Sequence, residues 1–327
     1  MEKRGKILLK KDLSKFIDKL KAYGEVVAPV KRDILRYDII KDASEICFEG
    51  LPRFTLKKFF FPQNQDIFNF KENKIRKNEI KTKKYVFFGI RECDTNAFLV
   101  NDKLFLDEIS DDNYKNIREN MILIALHCNQ PVDRFCFCES MEFKGYYDLL
   151  LYDLGDKFHI KILTEKGEGL VKNLEEDEYW HETFICKNIN VLETKDIKNL
   201  YDHPEWKKFS DDCISCGMCT NLCPTCLCFD IFDEVNLDLK SGKRKLQWDS
   251  CMYRDFTLVA GGHIFREERV DRFKHRIYHK IQYFKEQFGI FMCTGCGRCI
   301  RHCPAEIYWT GGINLMHKNQ IKSTKNV

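Results

Sequence analysis

The sequence predicts an α/β domain with a mixed sheet over residues 1–200, followed by a mainly α-helical domain over residues 201–327. Three observations predict it. Two apolar strand runs flank a helix-like segment, and two further runs form a hairpin. One cysteine pattern then occurs twice, about 70 residues apart, with helical spacing between the copies.

Residues 12–23 place Leu13, Phe16, Ile17 and Leu20 on one helical face, and Gly24 stops the helix. Glu25-Val-Val-Ala28 reads as a strand ended by Pro29. Phe59-Phe-Phe61-Pro62 is an aromatic run that reads as core packing rather than a dock for a flat cofactor. Tyr85-Val-Phe-Phe-Gly-Ile90 and Met121-Ile-Leu-Ile-Ala-Leu126 are buried-strand runs. Residues 94–108 between them read as a crossover helix, so the two strands are parallel. Residues 149–152 and 157–163, joined by Leu154-Gly-Asp156, read as a hairpin. The stretch around Tyr201-Asp-His-Pro-Glu-Trp206 marks the domain boundary, and residues 272–288 carry a helical pattern.

The doubled pattern carries the chemistry. Its first copy is Cys213-Ile-Ser-Cys216-Gly-Met-Cys219-Thr-Asn-Leu-Cys223-Pro, and its second is Cys293-Thr-Gly-Cys296-Gly-Arg-Cys299-Ile-Arg-His-Cys303-Pro. C-x2-C-x2-C-x3-C-P is the ligand spacing of [4Fe–4S] clusters, and in two-cluster proteins the fourth Cys ligates the other cluster. A tight loop wraps three iron corners, and the fourth corner is capped from elsewhere. Cys213, Cys216, Cys219 and Cys303 are therefore assigned to one cluster, and Cys293, Cys296, Cys299 and Cys223 to the other. Two zinc sites are the plainer alternative, but zinc usually takes two C-x2-C pairs. The long gap between the runs predicts a helical dicluster ferredoxin domain, since compact two-cluster proteins use a shorter one.

A third constellation sits upstream. The two parallel strands run into Arg91-Glu-Cys93-Asp94 and His127-Cys128, and Cys136-Phe-Cys138 follows. Parallel strands end on the same side of a sheet, and sites form there. Cys93, Cys128, Cys136 and Cys138 are thus brought towards one place. Four thiolates suit a third [4Fe–4S] cluster or a structural zinc; buried, inert cysteines are the plain alternative. Cys226 and Cys228 read as packing beside a cluster, or as exchangeable ligands. Cys47, Cys186 and Cys251 read as structural.

Composition narrows the rest. Lys and Arg number 54 against 50 Asp and Glu, a net charge of +4 that is too balanced to argue for nucleic acid. Seventeen cysteines in 327 residues, with no apolar signal core after Met1, read as metal ligands in a reducing cytoplasm. No apolar run reaches the length that crosses a bilayer. His263, Arg266, Arg269, Arg272, His275, Arg276, His279 and Lys280 form a basic stretch. A solvated or cluster-screening face is its expected role, since clusters and their thiolates are anionic. Val259-Ala-Gly-Gly-His263 lacks the G-x-G-x-x-G pattern and no P-loop is present, so no nucleotide site is expected.

At these residues the chain resembles a known family, which includes the iron–sulfur subunit of anaerobic sulfite reductase and the beta subunit of cytosolic nickel–iron sulfhydrogenases. Phe88-Gly-Ile-Arg-Glu-Cys93-Asp94 resembles its G-x-R-x-C-D segment, and Cys136-Phe-Cys138-Glu-Ser-Met141 its C-F-C-x-S-M segment. Asp202-His-Pro-Glu-Trp206, Cys223-Pro-Thr-Cys226-Leu-Cys228-Phe, Trp248-Asp-Ser-Cys251-Met and Ala260-Gly-Gly-His263-Ile-Phe-Arg266 follow in family order. The resemblance implies an electron-transfer subunit of an anaerobic, cytoplasmic oxidoreductase complex, with no substrate site of its own. A flavin subunit that oxidises NAD(P)H would feed it, and a siroheme sulfite reductase subunit would take its electrons; nickel–iron hydrogenase subunits are the alternative acceptor. Glu92 stands where the family often has proline, which puts a carboxylate beside the third site.

Overall fold

The computed structural model describes residues 5–72, 74–78, 83–107, 110–177 and 186–324. The opening residues Met1 to Arg4 lie outside them, as does Glu108 at the end of the expected crossover helix. The chain forms two compact units. The first comprises Met1–Leu56, Thr82–Ile189 and Thr294–Cys296; the second comprises Lys57–Lys81, Asn190–Cys293 and Gly297–Val327.

The first unit is built on a mixed sheet. Among the described residues its strands run, across the sheet, Glu175–Asp177, Gly5–Leu9, Lys157–Ile162, Leu149–Asp153, Met121–Leu126, Tyr85–Arg91, Glu25–Lys31 and Leu35–Ile39. The four strands from Leu149–Asp153 to Glu25–Lys31 are mutually parallel, and the outer pairings are antiparallel. The central strands are buried along their whole length, as parallel strands covered on both faces must be. Phe16, Ile17 and Leu20 of the helix Leu13–Leu20 join Val86, Phe88, Ile124 and Leu151 in one core. The crossover helix is Glu92–Leu106, and the expected hairpin is the antiparallel pair Leu149–Asp153 and Lys157–Ile162.

One expectation needs correction. Pro29 does not end its strand, which continues to Lys31. The amide of Glu25 points towards the neighbouring parallel strand, donating to the Lys84 carbonyl at 2.9 Å. By the two-residue period, the missing N–H of Pro29 faces the same side. The parallel ladder there stops at Val27, so no partner is lost.

The second unit is not only helical. Among the described residues it holds an antiparallel sheet of Phe229–Val235, Ser241–Trp248, Asn64–Lys71 and Lys74–Lys77. The residues 57–81 that supply two of these strands precede the boundary expected near residue 200. Phe60 and Phe61 are buried in this unit, with Phe61 stacked 6.2 Å from Trp248. Its longest described helical stretch runs through Arg269–Tyr278, a π turn at His279–Tyr283, and Phe284–Phe288. Trp206 is fully buried against Phe209, Phe273 and Tyr278.

Candidate metal centres

The two cysteine runs fold as copies of one turn. Gly217 and Gly297 each take φ +71° and open the short helices Met218–Asn221 and Arg298–Arg301. The left-handed φ is what glycine supplies without strain. The Gly217 carbonyl accepts from the N–H groups of Thr220 and Asn221, both at 3.0 Å; the Gly297 carbonyl accepts from Ile300 at 3.0 Å and Arg301 at 2.9 Å. The third cysteine of each run lies on the helix. The fourth closes it, the Cys223 N–H donating to the Thr220 carbonyl at 3.2 Å and the Cys303 N–H to the Ile300 carbonyl at 3.1 Å.

This geometry gathers the first expected ligand set. Cys213, Cys216, Cys219 and Cys303 line one cavity of about 40 Å³, with Cys299 and Arg276 on its wall. Of the second set, Cys223, Cys293 and Cys299 belong to this unit, while Cys296 belongs to the short stretch that packs within the first unit. Cys226 and Cys251, near the first run, are buried. The Trp309 indole N–H donates to the Cys299 Sγ at 3.4 Å.

The electrostatics fit an anionic group. Arg272, Arg276 and Lys280 are 6%, 5% and 4% exposed, and Lys57 is 3% exposed. Among the described residues none of the four has a carboxylate within ion-pair distance. A buried unpaired cation is costly, so the opposite charge must come from elsewhere. Burial pushes the Arg276 guanidinium down, but negative charge on the cysteine sulfurs, Cys219 and Cys299 first, outweighs it and holds the group well above its ordinary value. Burial likewise opposes charge on Lys280, and negative charge on the cysteine sulfurs, Cys223 first, prevails. Burial wins at Lys57, whose ammonium is pulled down; it sits 3.9 Å above the Trp248 ring and donates to the Cys226 carbonyl at 2.9 Å. The Arg276 Nε is buried with no hydrogen-bond acceptor. Thiolates that share a cationic pocket are the donor set a [4Fe–4S] cluster requires. Among the described residues no three or more His, Cys, Asp or Glu side chains are grouped to hold a metal ion. A single ion needs its donors in one shell, whereas a cubane distributes four thiolates over four irons.

The first unit has its own cysteine-lined cavity, of about 180 Å³. Cys93, Cys128, Cys136 and Cys138 all line it, joined by Cys186 and Cys296. Cys93 stands on the first turn after the strand Tyr85–Arg91, and Cys128 two residues beyond Met121–Leu126. The two strand ends are tied: His127 Nδ1 lies 2.8 Å from Glu92 Oε2, and Arg91 Nη1 donates to the His127 carbonyl at 3.2 Å. The Glu92 carboxylate is thus partly engaged by His127. The Cys136–Cys138 turn is fixed by the Phe137 N–H, which donates to the Gly295 carbonyl at 2.8 Å. Asn188 Oδ1 accepts from the Glu139 N–H at 2.9 Å, and Glu139 Oε2 accepts from the Asn188 N–H at 3.0 Å.

Burial pushes the Cys128 and Cys138 thiols up to about 12 and the Cys186 thiol up to about 11. Such thiols stay protonated at neutral pH unless metal charge shares the cavity. Asn96 Oδ1 and Asn188 Nδ2 are buried on this cavity without partners. Sequence reasoning read Cys186 as structural and so missed its place on this cavity. It missed Lys57 too, which looks like any lysine in a basic stretch.

Residues 212–307 match the 4Fe-4S dicluster domain family. The chain is 33% identical over 316 residues to the sulfhydrogenase 2 subunit beta of Pyrococcus furiosus, covering 89% of this chain and 92% of that one. It is 22% identical over 179 residues to the F420-dependent formate dehydrogenase subunit beta of Methanocaldococcus jannaschii, covering 50% of this chain and 38% of that relative. No solved structure matches the chain. Among the described residues no helix is long and apolar enough to cross a membrane. A match at this identity over 89% of the chain, with the dicluster-domain match spanning both cysteine runs, means that the chain belongs to the sulfhydrogenase beta-subunit family of 4Fe-4S dicluster proteins.

Proposed function

We propose that this chain is the iron–sulfur electron-transfer subunit of a cytoplasmic, multi-subunit oxidoreductase. The carrying observation is the convergence of Cys213, Cys216, Cys219 and Cys303 on one cavity, with Cys299 of the other run on the same wall. Clusters bound at such sites take up and release single electrons. The chain's own residues do the rest. The two cysteine turns supply eight thiolates, Cys296 completing the second set. The buried cations balance their charge, and the Trp309 N–H donates to a ligand sulfur. The cavity of the first unit would hold a third [4Fe–4S] cluster on Cys93, Cys128, Cys136 and Cys138, with Cys186 as a spare thiol.

A flavin subunit that oxidises NAD(P)H is the proposed donor. Chain length and general similarity favour a siroheme sulfite reductase subunit as the acceptor. The 33% match to a sulfhydrogenase subunit supports a nickel–iron hydrogenase core at least as well. Genes encoding the partners, or subunits that co-purify, decide between the two. Anaerobic purification with iron and sulfide analysis tests the reading itself: clusters reducible by a flavin partner are expected, and a chain holding zinc without iron would end it.

A further inference from the structure

The helical stretch from Arg269 to Phe288 carries an unusual row. Arg272, Arg276 and Lys280 recur at every fourth residue, which places them on one side of the helix. All three are nearly fully buried and, among the described residues, none is paired with a carboxylate. Each instead addresses a different part of the cysteine scaffold. Arg272 Nε donates to the Met252 carbonyl at 3.0 Å, and Met252 lines the same cavity as Cys213. Arg276 lines that cavity directly, and its Nη2 donates to the Cys219 carbonyl at 3.2 Å. Lys280 Nζ donates to Thr225 Oγ1 at 2.8 Å, two residues from Cys223, and the Lys280 carbonyl accepts from the Cys293 N–H at 3.3 Å. The helix widens into a π turn where Lys280 enters, a distortion that recurs at functional sites.

We propose that Arg272, Arg276 and Lys280 form a graded cationic rail that sets the two cluster potentials separately. Arg272 acts on the Cys213/Cys216/Cys219/Cys303 cluster, Lys280 on the Cys223/Cys293/Cys296/Cys299 cluster, and Arg276 on both. The charges that reach each cation agree with this order. Behind burial and the like charge of Arg269, Cys213 is the thiolate acting on Arg272; Cys219 and Cys299, one from each set, lead those on Arg276; Cys223 and Cys293, both of the second set, act on Lys280. The physical basis is simple. Reduction adds one negative charge to a cluster, and a fixed buried cation stabilises that charge more strongly than water at the surface would. No proton moves and the cations stay charged throughout. The rail makes both clusters easier to reduce, and unequal distances along it give the electron a preferred resting station. This inference rests on the two ferredoxin-type clusters proposed above.

The test is an anaerobic potentiometric titration of the full-length, cluster-loaded chain, followed by electron paramagnetic resonance, with dithionite as the one-electron donor. Lys280→Met is expected to lower the reduced-to-oxidised ratio of one cluster at least tenfold at fixed potential, about 59 mV for a one-electron couple, and to leave the other nearly unmoved. Arg272→Met is expected to do the reverse, Arg276→Met to shift both, and Lys280→Arg to stay near the parent. If Lys280→Met and Lys280→Gln fail to hold iron while Lys280→Arg holds it, the charge is needed to retain the cluster, which supports the rail. Variants that keep full iron and both signals, with ratios within twofold of the parent, would overturn the proposal and leave the electron-transfer reading standing. A parent chain without clusters would overturn both.

Discussion

Gly295 lies flat against Cys138: a Cβ at Gly295 would come within 2.4 Å of the Cys138 Cα and 2.5 Å of its amide nitrogen. Gly295 also adopts φ +66°, a conformation that costs any L side chain energy. Its carbonyl holds the Phe137 N–H, so within the first unit the stretch Thr294–Cys296 fixes the Cys136–Cys138 turn. Gly295→Ala is expected to move that turn and to cost about 2 kcal/mol or more of stability. Denaturant unfolding measures the stability, and iron analysis of the same variant should fall below the parent value.

How the fold could be read explains what stayed hidden. The parallel pair at 85–91 and 121–126 was visible because both runs are continuously apolar and a helix of matching length lies between them. The sheet of the second unit was not. The strands Asn64–Lys71 and Ser241–Trp248 pair across some 180 positions and are largely polar, and Lys74–Lys77 is exposed throughout, so no local period marks them. The eight run cysteines were legible from spacing alone, whereas Cys186 is a single residue with no spacing to read. Arg272, Arg276 and Lys280 read in sequence as a solvated or cluster-screening face, because helical periodicity records which residues share a side and not whether water or thiolate answers their charge.

Iron content decides the ligands of the first unit. Besides Cys296, which is assigned to the second run's cluster, its cavity offers Cys93, Cys128, Cys136, Cys138 and Cys186, one thiol more than a cubane has irons. Cys93 and Cys128 are held by adjoining strand ends, and the Cys136–Cys138 turn by Gly295. The parent should bind about twelve irons, and Cys93→Ser or Cys128→Ser about eight, at four per cluster. Cys186→Ser should keep about twelve. A parent with about eight irons would remove the third site and leave the dicluster domain untouched.

Asp102 anchors the helix that carries Cys93. It accepts from the Tyr114 and Tyr146 hydroxyls, each at 2.6 Å, and from Arg118 Nε at 3.1 Å. The ion pair is largely buried, with 15% and 18% of the two side chains exposed. Asp102→Ala leaves the Arg118 guanidinium without its carboxylate and two hydroxyls without an acceptor. The expected loss is about 3 kcal/mol in urea unfolding. Asp102→Asn, which keeps an acceptor, should lose less.

The His275 and His279 rings stack 5.6 Å apart on the helix that carries the cationic rail. Burial lowers both to about 4, helped at His275 by Arg266 and at His279 by Lys280, His275 and Arg266. Their unfolded value is about 6.5, so between the two values the unfolded chain binds more protons. Stability is therefore full above about pH 6.5 and falls as the pH drops towards 4. After allowance for partial exposure, each ring contributes about 1–2 kcal/mol to that loss. The His275→Gln, His279→Gln double variant should lose less stability than the parent between pH 7 and pH 5. Equal losses would show that the rings do not titrate in this window.

Trp309 offers a test of how a neutral group tunes the same clusters. Its indole N–H donates to the Cys299 Sγ at 3.4 Å, and the ring is almost fully buried on the cavity wall. A donor to a ligand sulfur draws electron density from the cluster and favours the reduced state. Trp309→Phe keeps an aromatic ring and removes only the donor. The cluster proposed on Cys299 should become harder to reduce, with a ratio change of severalfold but less than the tenfold, about 59 mV, expected for loss of the Lys280 charge. Iron content should not change, because Phe fills most of the same space. A neutral hydrogen bond acts over a shorter range than a full charge, so the cluster of Cys213, Cys216, Cys219 and Cys303 should move less, although Trp309 also lines its cavity. A larger shift there than at the Cys299 cluster would mean that Trp309 works through packing around the first cavity rather than through its N–H.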